Sequence, residues 1–209
     1  PHRLIRRQRQ MCIRDRFGSN PSSEQKIFYD SFPNYSKGGF ENFEATPMMT
    51  GEISTWDFFK EDSSRKPTSA ILPKSINFDS FAKPNSDYRL AWLGHSAFLI
   101  NVMGKIILLD PMLGSHAAPI PLPSLKRFNE VLPIKLDSVE KIDFVAISHD
   151  HYDHLDYSTI KLLKDKVSTF LAPHGIGNHL KKWGVKSNQI VELNWNESFN
   201  AENIEFHCL

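Results

Sequence analysis

Ser148-His149-Asp150-His151-Tyr152-Asp153-His154-Leu155-Asp156 places three of the chain's nine histidines within six positions and interleaves them with carboxylates. Neutral imidazole and carboxylate oxygen bind first-row divalent metals without help from a thiolate. His149 and His151, two apart, can reach one ion from an extended or turning backbone, and Asp153 and His154 can then face a second. Two ions about 3.5–4 Å apart share a water and make it a nucleophile near neutral pH. A metal-dependent hydrolytic site is therefore the leading reading of this stretch. A solvated His/Asp-rich turn is the plainer alternative, but it fits poorly with the apolar run Ile142 to Ile147 that precedes the cluster.

Positioning such a cluster takes a rigid frame, and the flanking sequence supplies one. Asp143 to Ile147 reads as a strand that ends at the cluster. Asp156 reads as an N-cap, and Tyr157 to Lys166 as a helix. Val167 to Leu171 follows as a strand, then a short helix Ile176 to Trp183 with Gly184 just past its end, then strands at Gln189 to Leu193 and Ile204 to Leu209. Upstream, Arg89 to Leu93, Ser96 to Val102 and Lys105 to Leu109 read as strands, the last two joined by a tight turn at Met103-Gly104. Asp110-Pro111 ends the third, because proline cannot continue a central ladder. Residues 111–135 form a Pro-rich loop, and loops of that length inside a domain often serve function. Hairpins first and β-α-β units afterwards predict a layered α/β domain whose ligands stand at a strand mouth before a helix, where open α/β sheets place their sites.

The remainder divides by composition. Residues 1–16 carry six arginines against Asp15 alone, a local +5 that leaves the other 193 residues at −4 within the formal total of +1. That stretch uses no lysine, whereas the rest has 16 lysines and three arginines, so it reads as a non-native flank rather than a basic arm, and its removal is expected to leave folding unchanged. A mildly acidic body gives no electrostatic footprint for nucleic acid. Residues 17–86 lack sustained periodicity but hold many aromatics, among them Phe28, Tyr29, Phe32, Tyr35, Phe40, Phe43, Trp56, Phe58 and Phe59, too many for a disordered linker. They read as an irregular wrap laid on a body of residues 87–209. Two cysteines, Cys12 and Cys208, lack C-x-x-C partners and support neither a thiolate site nor a disulfide scaffold. No signal-peptide core and no apolar run of about 18 residues is present, so a cytoplasmic or peripheral membrane location is expected.

His149-x-His151-x-Asp153-His154 resembles the signature of the metallo-β-lactamase fold. Trp92 to Ile100, Leu109-Asp110-Pro111, Ser148 to Asp156, Gly175-Ile176-Gly177 with Leu180 to Gly184, and Glu192 to Trp195 resemble the branch that contains N-acyl-phosphatidylethanolamine phospholipase D. The resemblance covers roughly residues 38–209. It implies an αββα sandwich of which this chain holds the N-terminal half, and a zinc-dependent hydrolase that cleaves a phosphodiester through a metal-bound hydroxide. His149 and His151 would bind the first Zn2+, Asp153 and His154 the second, with Asp153 also orienting the attacking water. Asp110 would support the ligands from behind or simply end its strand. His95 is either a group at the same rim or a turn histidine, and His116 in the Pro-rich loop is a candidate for substrate contact. His174 and His179 read as ordinary surface or helix histidines.

The resemblance also implies a third ligand for each ion, and usually a bridging carboxylate, from later strands. His207 is tempting but stands a few residues early, so the chain reads as truncated at its C-terminus, and whether the 209-residue piece is active by itself is left open. The substrate class implied is a small molecule or phospholipid-like ester, with peripheral membrane contact and an oligomeric state left open. Lactone or other ester hydrolysis, and a non-haem di-iron redox centre on the same fold, are the alternatives.

Overall fold

Alternating β-branched and leucine side chains give this chain strands with one face for each of two layers. The computed structural model describes residues 15–44, 67–69, 71–84, 88–129 and 131–209. The chain falls into two compact units, one of residues 1–19 with 67–209 and the other of residues 20–66. Phe78 is buried in the main core of the larger unit.

In the smaller unit, helix α1 (Ser23–Tyr29) starts at a capping box: Ser22 Oγ accepts from Gln25 N, and the Gln25 side chain accepts from Ser22 N. A hairpin follows, β1 (Tyr35–Ser36) against β2 (Gly39–Phe40). Here the rings of Tyr29, Phe32, Tyr35 and Phe40 pack against one another, with Tyr35 and Phe40 centroids 4.9 Å apart. Trp56, Phe58 and Phe59 of the expected wrap lie outside the described residues.

In the larger unit α2 (Phe78–Ala82), capped by Asn77, precedes one six-stranded sheet. Its strands are β3 (Arg89–Gly94), β4 (Ala97–Val102), β5 (Lys105–Leu109), β6 (Ile142–Ala146), β7 (Val167–Pro173) and β8 (Ile190–Leu193), in spatial order β3-β4-β5-β6-β7-β8. The first three form an antiparallel meander and the last three add in parallel, so the sheet is mixed. The β4–β5 turn has Met103 at φ 52° and Gly104 at φ 79°, the double positive φ of the tight hairpin turn read from the sequence.

The crossovers of the parallel part carry helices. Between β6 and β7 lies α3 (Tyr157–Leu163), shorter than the expected Tyr157–Lys166. Asp156 is its N-cap, accepting from Ser158 N and Thr159 N at 3.1 Å each. Between β7 and β8 lies α4 (Ile176–Lys182), with Gly184 at φ 93° just beyond it. Alternation along the strands sorts the core. Ile106, Leu108, Val145, Phe170 and Ala172 face Ile160, Leu163, Ile176, Leu180 and Trp183 on the helical side. Ile107, Phe144 and Leu171 face the other side, where Phe199 and Phe206 cover them. Those two phenylalanines come from a separate hairpin, β9 (Ser198–Ala201) with β10 (Ile204–His207). Among the described residues no helix is long and apolar enough to cross a membrane.

Candidate metal centre

The two central parallel strands end side by side, and their ends hold the site. Asp110 N donates to Ala146 O and Ile147 N to Leu171 O, each at 2.9 Å, so the ladders run on just past the strand ends. This sets Asp110 beside Ser148. The Asp110 carboxylate, on a residue only 5% exposed, accepts from Ser148 N (2.7 Å), Ser148 Oγ (2.7 Å) and His154 Nδ1 (2.9 Å). Asp110 adopts φ 40°, a left-handed conformation that costs a non-glycine residue on the order of 1 kcal/mol. The conformation brings the carboxylate back under the histidine loop.

The consequence falls on His154. With Nδ1 held by Asp110, its Nε2 lies 3.6 Å from Asp153 Oδ2. A carboxylate behind an imidazole fixes which nitrogen remains available, the usual support for a metal-binding histidine. His95 completes this group: its Nε2 is 2.8 Å from Asp153 Oδ2. It arrives from the β3–β4 turn, where Gly94 (φ 107°) and His95 (φ 48°) are both left-handed and Trp92 Nε1 donates to His95 O at 2.7 Å. One donor atom each from His95, Asp153 and His154 lies within 4.8 Å of the others.

His149 and His151 form a second pair. His149 Nε2 and His151 Nδ1 are 3.1 Å apart, and His149 Nδ1 is 2.8 Å from Ser148 Oγ. Two imidazole nitrogens at about 2.05 Å from a tetrahedral zinc are separated by about 3.3 Å, so this pair is nearly at a chelating spacing. The His149 and His154 rings approach to 4.0 Å between centroids, which joins the two groups into one cluster. The donor set of imidazole nitrogen and carboxylate oxygen, with spare nitrogens turned toward one another, fits a divalent metal.

Electrostatics agree with that reading. Burial lowers the His149 pKa, and the neighbouring His154 and His151 lower it further against the opposing pull of Asp110 and Asp153. The imidazole is thus biased to the neutral form that binds metal. Burial alone would raise the Asp153 carboxyl, but its own backbone N–H, the His95 hydrogen bond and the charges of His154 and His95 take it below the ordinary range. Burial, then Asp150, raises the Tyr152 hydroxyl, which keeps it protonated.

His149, His151, Asp153, His154, His95 and Asp110 therefore come together. His116 does not join them; it stands on the Pro-rich loop with Nδ1 2.9 Å from Ser115 Oγ and its backbone bridged to Lys126. His174 lies 3.9 Å from Glu197, and His207 lies 3.2 Å from Glu205 on β10. Two participants carry little sequence signal. Ser148 links Asp110 to His149 through one hydroxyl, a role visible only once β5 and β6 are adjacent. His179 on α4 lines a cavity of about 480 Å3 shared with His151, Tyr152 and Asp153.

Comparisons with known proteins give the family. Residues 105–209, just over half the chain, match the model of the beta-lactamase superfamily domain, and the chain belongs to that family. The sheet with its helical layer is the mixed α/β architecture of the metallo-β-lactamase fold. An uncharacterized protein of Mycobacterium tuberculosis is 33% identical over 198 residues, 92% of this chain and 52% of that protein. The N-acyl-phosphatidylethanolamine-hydrolyzing phospholipase D 1 of Caenorhabditis elegans is 32% identical over 158 residues, 70% of this chain and 44% of that protein. This chain thus spans about half the length of the curated relatives it matches. Among solved structures, CmlA, a diiron beta-hydroxylase from Streptomyces venezuelae, aligns with a TM-score of 0.44 and 26% identity over 59% of this chain and 23% of that one. A likeness of that degree bears on neither the metal nor the reaction.

Proposed function

We propose that this chain carries the histidine-rich part of the metal centre of a zinc-dependent hydrolase acting on phosphodiesters, with a phospholipid-like small molecule as the substrate class. The observation that carries the reading is the convergence of His149 with His151, and of Asp153 with His154 and His95, at the ends of two neighbouring parallel strands. His149 and His151 would hold one ion, and Asp153 and His154 the second, with His95 beside them. A zinc ion bound there would supply Lewis acidity, acidifying a water and offsetting charge on phosphoryl oxygens.

The chain's own residues do the positioning. Asp110 keeps the His154 proton on Nδ1 and leaves Nε2 free to bind. Asp153, held anionic, offers a carboxylate oxygen that can orient a water by accepting its proton in a hydrogen bond. Trp92 and the left-handed pair Gly94-His95 fix the imidazole that meets Asp153. The name of the C. elegans relative favours a phosphodiester over a lactone or other ester.

The test is His151→Ala. Bound zinc, measured by metal analysis after dialysis, should fall, and hydrolysis of an N-acyl-phosphatidylethanolamine by the full-length protein should be lost. Zinc and activity both retained would sink the assignment, and iron in place of zinc would redirect it to redox chemistry.

A further inference from the structure

His179 is the one imidazole in the cavity beside Asp153 that the proposed metal centre does not use. The cavity, about 480 Å3, has the size of a small-molecule site. His151, Tyr152 and Asp153 line it on the metal side, and Phe17, His179 and Trp183 on the other. Arg16 and Asp150 line it as well, so the walls mix aromatic rings with charged groups of both signs.

His179 is held by a short strap, residues 15–19. Ser19 N donates to His179 Nδ1 at 3.0 Å. Lys182 Nζ donates to Gly18 O at 2.6 Å, and Trp183 Nε1 donates to Asp15 O at 2.7 Å. Gly18 sits at φ 66°, and a Cβ there would fall within the His179 ring, so the strap lies directly on the imidazole edge. The Trp183 indole is tilted 35° to the imidazole with centroids 6.0 Å apart.

These contacts fix the tautomer. A backbone N–H can donate only to a nitrogen without a hydrogen, so in the neutral ring Nδ1 is bare and Nε2 carries the proton. Burial lowers the His179 pKa against the opposing pull of Asp150, with Lys182 adding to the lowering, so the neutral ring is favoured. Among the described residues Nε2 has no hydrogen-bond partner, and it is not sealed from solvent. A pinned imidazole with an unused N–H, lining the cavity next to Asp153, is built to donate to something that enters.

We propose that His179 is a substrate-binding residue whose Nε2–H donates to an oxygen of the phosphodiester group lodged in the cavity beside Asp153. The choice of ligand rests on the hydrolase reading above; the tautomer does not. A neutral donor suits this place because it orients an anionic oxygen without competing with the metal ligands for protons or adding a charge that would repel a nearby cation.

The experiment uses the full chain and dimethyl phosphate as probe, with binding followed by isothermal titration and the ring nitrogens by long-range 1H–15N spectra. Wild-type His179 should show the Nε2–H tautomer, and dimethyl phosphate should shift its Nε2 resonance. H179N keeps an acceptor for Ser19 N but removes the Nε2 donor, whereas H179A removes both. If the donor matters, H179N and H179A should both bind dimethyl phosphate about tenfold more weakly, the loss expected for one hydrogen bond to a charged acceptor. If His179 only pins the strap, H179N should bind like wild type, and that result overturns the proposal. An Nδ1–H tautomer, or an Nε2 resonance that does not move with probe, overturns it as well and needs no variant to fold. His151→Ala that retains zinc and hydrolysis would refute the metal assignment while leaving these spectra to decide His179 by themselves.

Discussion

Asp110→Asn isolates the contribution of one buried carboxylate to the metal centre. Asp110 Oδ1 accepts from Ser148 N, and Oδ2 accepts from both Ser148 Oγ and His154 Nδ1. Asparagine offers one oxygen where aspartate offers two, so an NH2 must face a donor in either orientation. Placed at the Oδ1 position it meets Ser148 N–H, and two donors confront each other in a residue only 5% exposed. Placed at the Oδ2 position it forces His154 to present a bare Nδ1, which moves the proton to Nε2 and removes the lone pair directed at Asp153. The first arrangement leaves a buried donor unsatisfied at about 1–3 kcal/mol. The second removes the supporting carboxylate of a histidine ligand, which lowers metal affinity about 10–100-fold. We therefore expect D110N to lower the urea midpoint by an amount equivalent to about 2–4 kcal/mol once the weakened charge-assisted bonds are included. Zinc affinity, measured by competition with a chromophoric chelator, should fall at least tenfold. A variant with wild-type zinc affinity and an unchanged midpoint would refute the role given to Asp110.

Deleting residues 1–16 removes the Asp15 carbonyl that accepts from Trp183 Nε1, and Trp183 is 2% exposed. The composition alone predicts no effect, but the contact predicts a loss of about 1–3 kcal/mol, read as a lower melting midpoint; an unchanged midpoint would mean that water replaces the carbonyl at no cost. His149 has a folded-state pKa below its ordinary value, so the unfolded chain binds the proton more readily and metal-free stability should rise with pH through the ordinary imidazole range. H149Q should flatten that rise in urea midpoints measured across the range, and an identical slope would show that His149 does not contribute to it.

Local sequence made most of the secondary structure legible because the signals there are local. The apolar alternation of Ile106 to Leu109, the Met103-Gly104 turn and the Asp156 cap each act within a few residues, and each appears where its chemistry requires. Strand β9 escaped because Ser198-Phe199-Asn200-Ala201 has only Phe199 as a large apolar anchor; its pairing with Ile204–His207 makes it a strand. α3 stops at Leu163, short of the expected Lys166, and Lys166 N turns back to Leu163 O, which sets the chain for β7. The site divides the same way. His149, His151, Asp153 and His154 are candidates that the spacing alone marks. His95 and Asp110 approach Asp153 and Ser148 only after the sheet has assembled, so residue spacing says nothing of either contact and only the family resemblance of the strings around them points to this rim. His179 is further removed, since its place depends on a backbone strap about 160 residues earlier in the chain.

The order of the strands governs how such a site can come into being. Each neighbour in the six-stranded sheet is also a neighbour along the chain, so the sheet can grow by accretion from the β3–β4–β5 meander, closing one loop at a time. The contacts that build the site do not share that economy. Asp110 and Ser148 are 38 residues apart, and His95 and Asp153 are 58 apart, so neither pair exists until β6 has docked on β5. A metal ion added early in refolding meets only the flexible His149–His154 loop. It should therefore accelerate refolding little and slow unfolding strongly, acting as a latch on an assembled sheet and not as its seed.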